Sequence, residues 1–227
     1  FQVSADSFKG KFLISNPNFN NTDKSLFVSI EATENDNYET FGYKTKKTGT
    51  SIGTNFEYLN DFYIGINNSN FYEVIETNNT ASAQQQAQEG NYWDSFMNIS
   101  MDYDKRNQKF QTSDGFKSFY SLQLPLISDT NTIKNYYNYS HYFDIFEKNV
   151  SSISIYLQSA NSLNNKDIKL SERITIPSHR LRGFEAGRVG PKDGDDFVGG
   201  NYAYSINFAS NIPQIFEESQ NVDFLIF

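Results

Sequence analysis

Few side chains in this sequence could act as nucleophiles, general acids or metal ligands. The 227 residues contain 2 histidines and no cysteine, and no Gly-x-Ser-x-Gly elbow or phosphate-binding glycine loop occurs. Carboxylates cluster in "DYDKR" (102–106) and "DGDD" (193–196), and such clusters attract hard cations such as Ca²⁺. Neither has the spacing of a defined calcium loop, so both are interpreted as solvated acidic loops. We therefore expect no catalytic residue, no metal site, no cofactor and no enzymatic activity.

The overall charge and hydropathy exclude several kinds of protein. The formal net charge is -8 and the pI is about 4.8, whereas binding to nucleic acid needs a basic surface that neutralises phosphates. No nucleic-acid partner is expected. The sequence has no run of about 18 apolar residues that could form a transmembrane helix, and "FQVSADSFKG" lacks the basic and apolar regions of a signal peptide. Since the first residue is not Met, we expect a piece of a longer protein.

Apolar and polar residues alternate with a period of two along most of the chain. The pattern is clearest in "LFVSIEA" (26–32), "SSISIYLQ" (151–158) and "GNYAYSINFAS" (200–210). Such alternation predicts β-strands and not helices. We predict strands near 8–15, 25–35, 47–59, 61–74, 92–105, 115–125, 133–147, 150–160, 171–177, 199–210 and 220–227. Clusters of Asn, Asp, Gly and Pro separate them, and a longer polar loop is expected at 77–91.

Two architectures are compatible with this alternation. A soluble sandwich turns its polar face to water, whereas an outer-membrane barrel turns its apolar face to lipid and its polar face to a wet lumen. Several strands exceed the ~5 to 6 residues typical of soluble sheets. The 21 Phe and 15 Tyr are numerous for a small core, but aromatic residues are favoured in membrane-interface girdles. We interpret Tyr92 and Trp93 as interfacial anchors.

We therefore predict an all-β fold, an antiparallel meander of about eleven strands that forms part of a transmembrane β-barrel. Bacterial single-chain barrels have an even number of strands and no open edge in lipid. About eleven strands is an odd number that does not fit a closed barrel, and we expect the barrel to be truncated at both ends. Residues 1–227 are expected to form one partial barrel domain without periplasmic domains.

One stretch interrupts the alternation, "RLRGFEAGRVGPKDGDDFVGGN" at 180–201. By itself it could be a surface loop in which glycines adopt positive φ. The order of its parts is more informative, because Arg-Gly-Phe is followed by a Val-Gly-Pro turn and then by Gly-Gly-Asn at the start of a strand. This order resembles the BamA family of outer-membrane barrel assembly proteins. The matching positions are Leu181, Arg182, Gly183, Phe184, Val189, Gly190, Pro191, Gly199, Gly200 and Asn201.

Weaker matches to the same family occur upstream in the expected order, in "LISNPNF" (13–19) and "DYDKRNQKFQTSDGFKS" (102–118). The resemblance covers essentially the whole chain. The approach to the Arg-Gly-Phe motif departs from the family, since many relatives have two glycines where this chain has "IPSHRL" (176–181). We interpret His179 and Arg180 in that segment as ordinary loop residues.

The resemblance implies that the loop at 178–198 folds back into the barrel lumen. Arg182 would pair there with acidic and aromatic groups on the inner wall, because a guanidinium has five donors in a rigid fork. Gly183 would allow the tight bend and Phe184 would pack the tip of the loop. The expected acidic partner lies beyond the last residue, with Asp223 as a weaker candidate.

The resemblance also implies a function and a location. BamA-like proteins insert β-barrel proteins into the bacterial outer membrane without enzymatic chemistry, by pairing an incoming strand with an open strand edge. The implied partners are unfolded outer-membrane client proteins, lipoproteins of the assembly complex and the lipid bilayer. Two alternatives remain at this point: a secretion or translocation pore on the same barrel plan, and a ligand-binding β-sandwich.

Overall fold

The computed structural model describes residues 2–3, 7–145, 149–185, 187–212 and 224–226. Almost all of its regular structure is β-strand. The thirteen strands are β1 (Gln2–Val3), β2 (Ser7–Asn16), β3 (Lys24–Asn37), β4 (Tyr43–Leu59), β5 (Phe62–Thr77), β6 (Gly90–Asp104), β7 (Gly115–Ile127), β8 (Thr132–Phe143), β9 (Ser151–Ser162), β10 (Lys192–Asp193), β11 (Asp196–Phe197), β12 (Tyr202–Ile212) and β13 (Phe224–Ile226). Two one-turn helices, α1 (Tyr38–Phe41) and α2 (Ala83–Gln86), lie in connections between strands.

Eleven of these strands form one antiparallel sheet in the order β1-β2-β3-β4-β5-β6-β7-β8-β9-β12-β13. Each strand pairs with the next one along the chain except where the segment between β9 and β12 intervenes, and that segment contains the separate β10–β11 hairpin. The predicted all-β antiparallel meander is confirmed. In the described part of the chain, no helix is long and apolar enough to cross a membrane.

The strand predicted at 171–177 is wrong. Residues Leu170–Glu172 form a 3-10 turn, and the rest of the predicted strand forms only an isolated bridge between Ile174 and Gly200. Side-chain contacts hold the segment there, since Ser171 bonds Glu73 of β5 and Ile174 packs against β9 and β12. Within the strand predicted at 220–227, Phe224–Ile226 is a strand and the other residues lie outside the described part. The short strands β1, β10 and β11 were not predicted.

The apolar face of the sheet points outward and the polar face points inward. On β3, Ile30 is 54% exposed while its neighbour Ser29 is 2% exposed. On β12, Ile206 is 71% exposed while Ser205 is 8% exposed. A soluble sandwich would bury Ile30 and Ile206 and expose the serines, since apolar burial drives its folding. The opposite arrangement excludes the sandwich and is that of a membrane barrel.

Aromatic rings mark the two edges of the lipid-facing band. Outward-facing rings contact one another in series across β4 to β8, with centroid separations of 5.3 to 6.4 Å. The residues of this girdle are Tyr58, Phe62, Tyr103, Phe116, Tyr139, His141 and Phe143. Tyr72 and Trp93 pair in register on the same face, ten residues further along β5 and β6. Ten residues of a tilted strand cover about 25 Å, the height of the apolar band of such barrels.

Candidate functional site in the barrel interior

Residues 163–201 connect β9 to β12 and return across the inner face of the sheet. One side of this segment is apolar. Ile168 and Ile174 are buried in a cluster with Tyr156, Ala160 and Ala203 of the β9 and β12 walls. Ile176 and Tyr136 pack against the cluster. The segment therefore occupies the interior of the barrel along the wall formed by β8, β9 and β12.

The other side of the same segment is held by buried charges. Lys169 Nζ lies 2.7 Å from Glu73 Oε2 of β5 and also contacts Asp94 Oδ2 of β6. The side chains of Lys169 and Glu73 are each 2% exposed, and that of Asp94 is 1% exposed. The ammonium also lies 5.0 Å from the centre of the Tyr92 ring, so Tyr92 faces inward. The prediction that Tyr92 is an interfacial anchor is therefore wrong, whereas Trp93 is exposed on the outer face.

Neighbouring hydroxyl groups also bond to these carboxylates. Ser171 Oγ donates at 2.9 Å to Glu73 Oε2, the oxygen that Lys169 contacts, and Ser128 Oγ donates at 2.6 Å to Asp94 Oδ1, the oxygen that Lys169 does not contact. Thr130 Oγ1 donates to buried Glu172 at 3.1 Å. A buried ion pair offsets its desolvation cost only when its geometry is good and its other lone pairs are bonded. Asp94 meets that condition, because both of its oxygens accept a hydrogen bond or a salt bridge.

The backbone of the 3-10 turn is bonded to the same wall. The amide of Leu170 donates to Gln88 Oε1 at 2.9 Å, and the hydroxyl of Tyr43 donates to the carbonyl of Leu170 at 3.2 Å. The turn thus contacts β4, β5, β6 and the connections that follow β5 and β7. We call residues 168–176 the crossing segment. Its apolar side packs on β8, β9 and β12, and its charged side contacts β4, β5 and β6.

The charges around Lys169 determine its protonation state. Burial by itself lowers the pKa of this lysine, because it penalises the charged form. The carboxylates of Glu73, Glu172 and Asp94 together outweigh that effect and raise the pKa above its ordinary value. Lys169 is therefore an ammonium ion at any physiological pH.

A second anchor follows at Arg180. Its guanidinium lies 5.1 Å from the centre of the Tyr156 ring, and Nη2 donates to Asn138 Oδ1. Its carbonyl accepts a hydrogen bond of 2.9 Å from Asn207 Nδ2. All three partners lie on the inner faces of β8, β9 and β12. The interpretation of Arg180 as an ordinary loop residue is wrong.

The Arg-Gly-Phe motif follows directly. Arg182 and Gly183 line a cleft of about 880 Å³ that is bounded by β9 and β12. Gly183 has φ of 85°, and a Cβ built there would meet no atom within 4 Å, so the backbone conformation alone favours glycine. Phe184 is 62% exposed and does not pack the tip as expected. Asp223, the weaker candidate partner of Arg182, lies outside the described residues.

The two later motifs form turns at the end of the segment. Gly190 has φ of 136°, and the carbonyl of Pro191 accepts a hydrogen bond of 3.1 Å from the amide of Val198. Gly199 has φ of 70° and lies against the carbonyl of Ile174. Gly200 and Ile174 exchange two backbone hydrogen bonds of 2.8 Å.

Asn201 completes the connection to the wall, since its carbonyl accepts a hydrogen bond of 2.8 Å from the amide of Ala160 on β9. The Gly-Gly-Asn motif therefore bonds the crossing segment on one side and the barrel wall on the other. The motif directly precedes β12, which begins at Tyr202, three residues later than the strand predicted at 199–210.

The acidic clusters have protein partners. In "DYDKR", Asp104 lies 2.7 Å from Arg106 and Asp102 lies 3.0 Å from Lys117. In "DGDD", Asp193 accepts a hydrogen bond from Ser82 at the N-terminus of α2. Burial, and then the nearby Asp195 and Asp193, raise the pKa of Asp196. Within the described ranges, no group of three or more His, Asp or Glu could hold a metal ion.

The sequence analysis missed the cluster of Lys169, Glu73 and Asp94. The two acids could have been noticed, because the alternation of β5 and β6 places both on the polar face. Their registers put Glu73 opposite Tyr92 and Asp94 opposite Phe71. Nothing in the sequence near Lys169 indicates which wall it contacts.

A sheet with an apolar outer wall, a polar inner wall and a long connection folded into the interior defines a transmembrane β-barrel protein. Comparison with known families agrees, since the model of the Omp85 superfamily domain matches residues 1–227. The chain belongs to the Omp85 superfamily and is an outer-membrane β-barrel protein.

Two relatives agree with this assignment. The chain is similar to a SAM50-like protein of Schizosaccharomyces pombe, with 37% identity over 67 residues, which are 28% of this chain and 14% of the relative. In fold it is similar to BamA from Haemophilus ducreyi lacking POTRA domains 1–3, with a TM-score of 0.85 and 20% identity. That match covers 95% of this chain and 47% of the BamA chain, so these residues span less than half of it.

Proposed function

We propose that the protein containing this barrel segment folds and inserts β-barrel proteins into the outer membrane, with unfolded outer-membrane proteins as clients. Membership of the Omp85 superfamily and the similarity to BamA and a SAM50-like protein support this function. The observation that favours assembly over a passive pore is the interior segment, which contacts the inner wall on two sides. A permanent channel would leave that space to water.

In this proposal residues 1–227 are one partial barrel domain, and the connection at 178–198 is its inward-folding loop. The mechanism is non-enzymatic: an open strand edge elsewhere in the barrel pairs with an incoming client strand, since unpaired N–H and C=O groups template a new strand. Lipoproteins of an assembly complex and the lipid bilayer are the other partners. The alternative is a related secretion or translocation pore.

Arg182 is the residue we assign to this loop's function. We propose that its guanidinium pairs with an acidic group of the inner wall and holds the Arg-Gly-Phe turn in one conformation. Arg188 offers a matched control, because it lies in the same loop, is half-exposed and pairs locally with Glu185 at 3.1 Å.

The test is assembly of a urea-denatured barrel client by the whole protein in proteoliposomes. We expect a lower rate of client folding for Arg182→Ala and an unchanged rate for Arg188→Ala. Wild-type vesicles that fail to fold the client, yet pass ions or unfolded polypeptides, would establish the pore instead. Equal effects of the two substitutions would remove the special role of Arg182.

A further inference from the structure

We propose that Lys169 is the positioning residue of the interior loop, and that its bonds to Glu73 and Asp94 keep residues 163–201 inside the barrel and the lumen closed. No other described lysine or arginine contacts two carboxylates that are both fully buried on the inner wall. The proposal concerns where the loop lies. It therefore holds whether the barrel assembles proteins or transports them.

The geometry of the crossing segment supports this role. The apolar contacts of Ile168 and Ile174 fix one side of the segment to β9 and β12. Apolar contacts are not directional, so alone they would let the segment slide along the wall. The ion pairs on the opposite side are directional and connect the segment to β5 and β6. Together the contacts on the two sides hold the crossing segment in one position across the lumen.

Because the charges are buried, the crossing segment has two states, one bonded to the wall and one released from it. If the segment left the lumen, Glu73 and Asp94 would lose their counterion on the inner wall. Ser171, the other donor to Glu73, would leave with it, and Asp94 would keep only the Ser128 hydroxyl. A buried charge left without its partner is strongly unfavourable. The segment is therefore either fully bonded or released with water admitted to the wall, because intermediate positions would leave unpaired charges.

Lys169 also determines where the Arg-Gly-Phe motif lies. Arg182 lies thirteen positions after Lys169, and Arg180 binds the wall at Asn138 and Tyr156 in between. With the crossing segment bonded, this short connection has to follow the inner faces of β8, β9 and β12. Release at Lys169 would leave Arg180 as the next polar anchor in the described structure.

The test compares Lys169→Met with Lys166→Met in the whole protein, reconstituted in planar bilayers. Lys166 is a matched control, because it lies three residues away in the same connection and is exposed, and its ammonium donates to the backbone carbonyl of Asp129 at 3.2 Å and not to a carboxylate. We expect ion-conducting openings to become more frequent in Lys169→Met, by on the order of tenfold. Tryptic cleavage within 180–192 should accelerate to a similar extent. Lys166→Met should match wild type.

A charge exchange separates positioning from general loss of structure. Lys169→Glu should open the barrel, and the added substitution Asp94→Lys should restore closure and protease protection. A difference in migration between the unheated and the heated protein on SDS gels reports that the barrel wall is intact in every variant. Conductance in Lys169→Met equal to that of Lys166→Met would overturn the proposal. So would an exchange variant that remains as open as Lys169→Glu.

Discussion

Arg180 and Asn138 are joined by a hydrogen bond from Nη2 of the guanidinium to Oδ1 of the amide, across 42 residues of sequence. The same guanidinium lies over the ring of Tyr156 on the adjacent strand. One loop side chain therefore contacts both β8 and β9 on the inner face. The contact shows that the loop before the Arg-Gly-Phe motif is bound to the wall.

Replacing Arg180 by Ala should destabilise the folded barrel by about 2–3 kcal/mol, the sum of one charged hydrogen bond and one partly buried cation–π contact. Arg180→Lys should lose less stability, since lysine keeps the positive charge but lacks the planar guanidinium group. The measurement is urea unfolding in lipid vesicles followed by the fluorescence of Trp93. His179→Ala is the neighbouring control, and a loss in that control as large as in Arg180→Ala would contradict the prediction.

Ile30→Lys should destabilise the barrel by about 2–4 kcal/mol, the cost of a cation near the middle of the lipid-facing band. In a soluble protein the same change at a 54% exposed position would be nearly neutral. Leu13→Lys is the control, because Leu13 is similarly exposed but pairs in register with Ser29 on the inner face. Equal unfolding free energies for the two variants in vesicles would exclude a lipid-facing position for Ile30.

Gly199→Ala should lower the free energy of unfolding by about 1–2 kcal/mol, since an L-residue at positive φ is strained. The added Cβ would also lie 3.0 Å from the carbonyl oxygen of Ile174. Gly200→Ala should be tolerated, because its φ is not in the left-handed region and the nearest atom is at 3.4 Å. The comparison uses urea midpoints of the two variants. A larger loss of stability in Gly200→Ala than in Gly199→Ala would show that the turn differs from the one described.

The interior loop should remain bound at alkaline pH. The folded-state pKa of Lys169 is raised above its ordinary value of 10.5, so the stabilisation is fully present below that value. It is lost only as the pH rises through the higher folded-state pKa. Protection of residues 180–192 from a protease that is active at high pH should therefore be constant between about pH 7 and 10. Loss of protection with a midpoint below pH 10 would mean that burial outweighs the carboxylates.

Much of the barrel wall could be predicted from the sequence, because the information is local. The period-two alternation specifies which side chains of β3, β9 and β12 share a face, and Asn, Asp, Gly and Pro mark most of the turns. The Arg-Gly-Phe, Val-Gly-Pro and Gly-Gly-Asn motifs carried the resemblance from which an inward-folding loop at 178–198 was expected, and that expectation stays a prediction. The alternation alone could not distinguish a barrel with a lipid-facing apolar side from a soluble sandwich. The aromatic content favoured the barrel, which is the correct architecture.

The contacts of the interior loop could not be predicted in the same way. A strand was predicted at 171–177, yet Leu170–Glu172 form a 3-10 turn and Ile174 forms only an isolated bridge, because tertiary contacts override local pattern. Lys169 and Asp94 are 75 residues apart, and no local rule brings them together. The sequence by itself therefore determined the strands and their faces, which depend on neighbours one or two residues away. Only the tertiary structure decided that Lys169 and Arg180 bind the wall, because folding of the connection across the inner face of the sheet is what places distant groups within bonding distance.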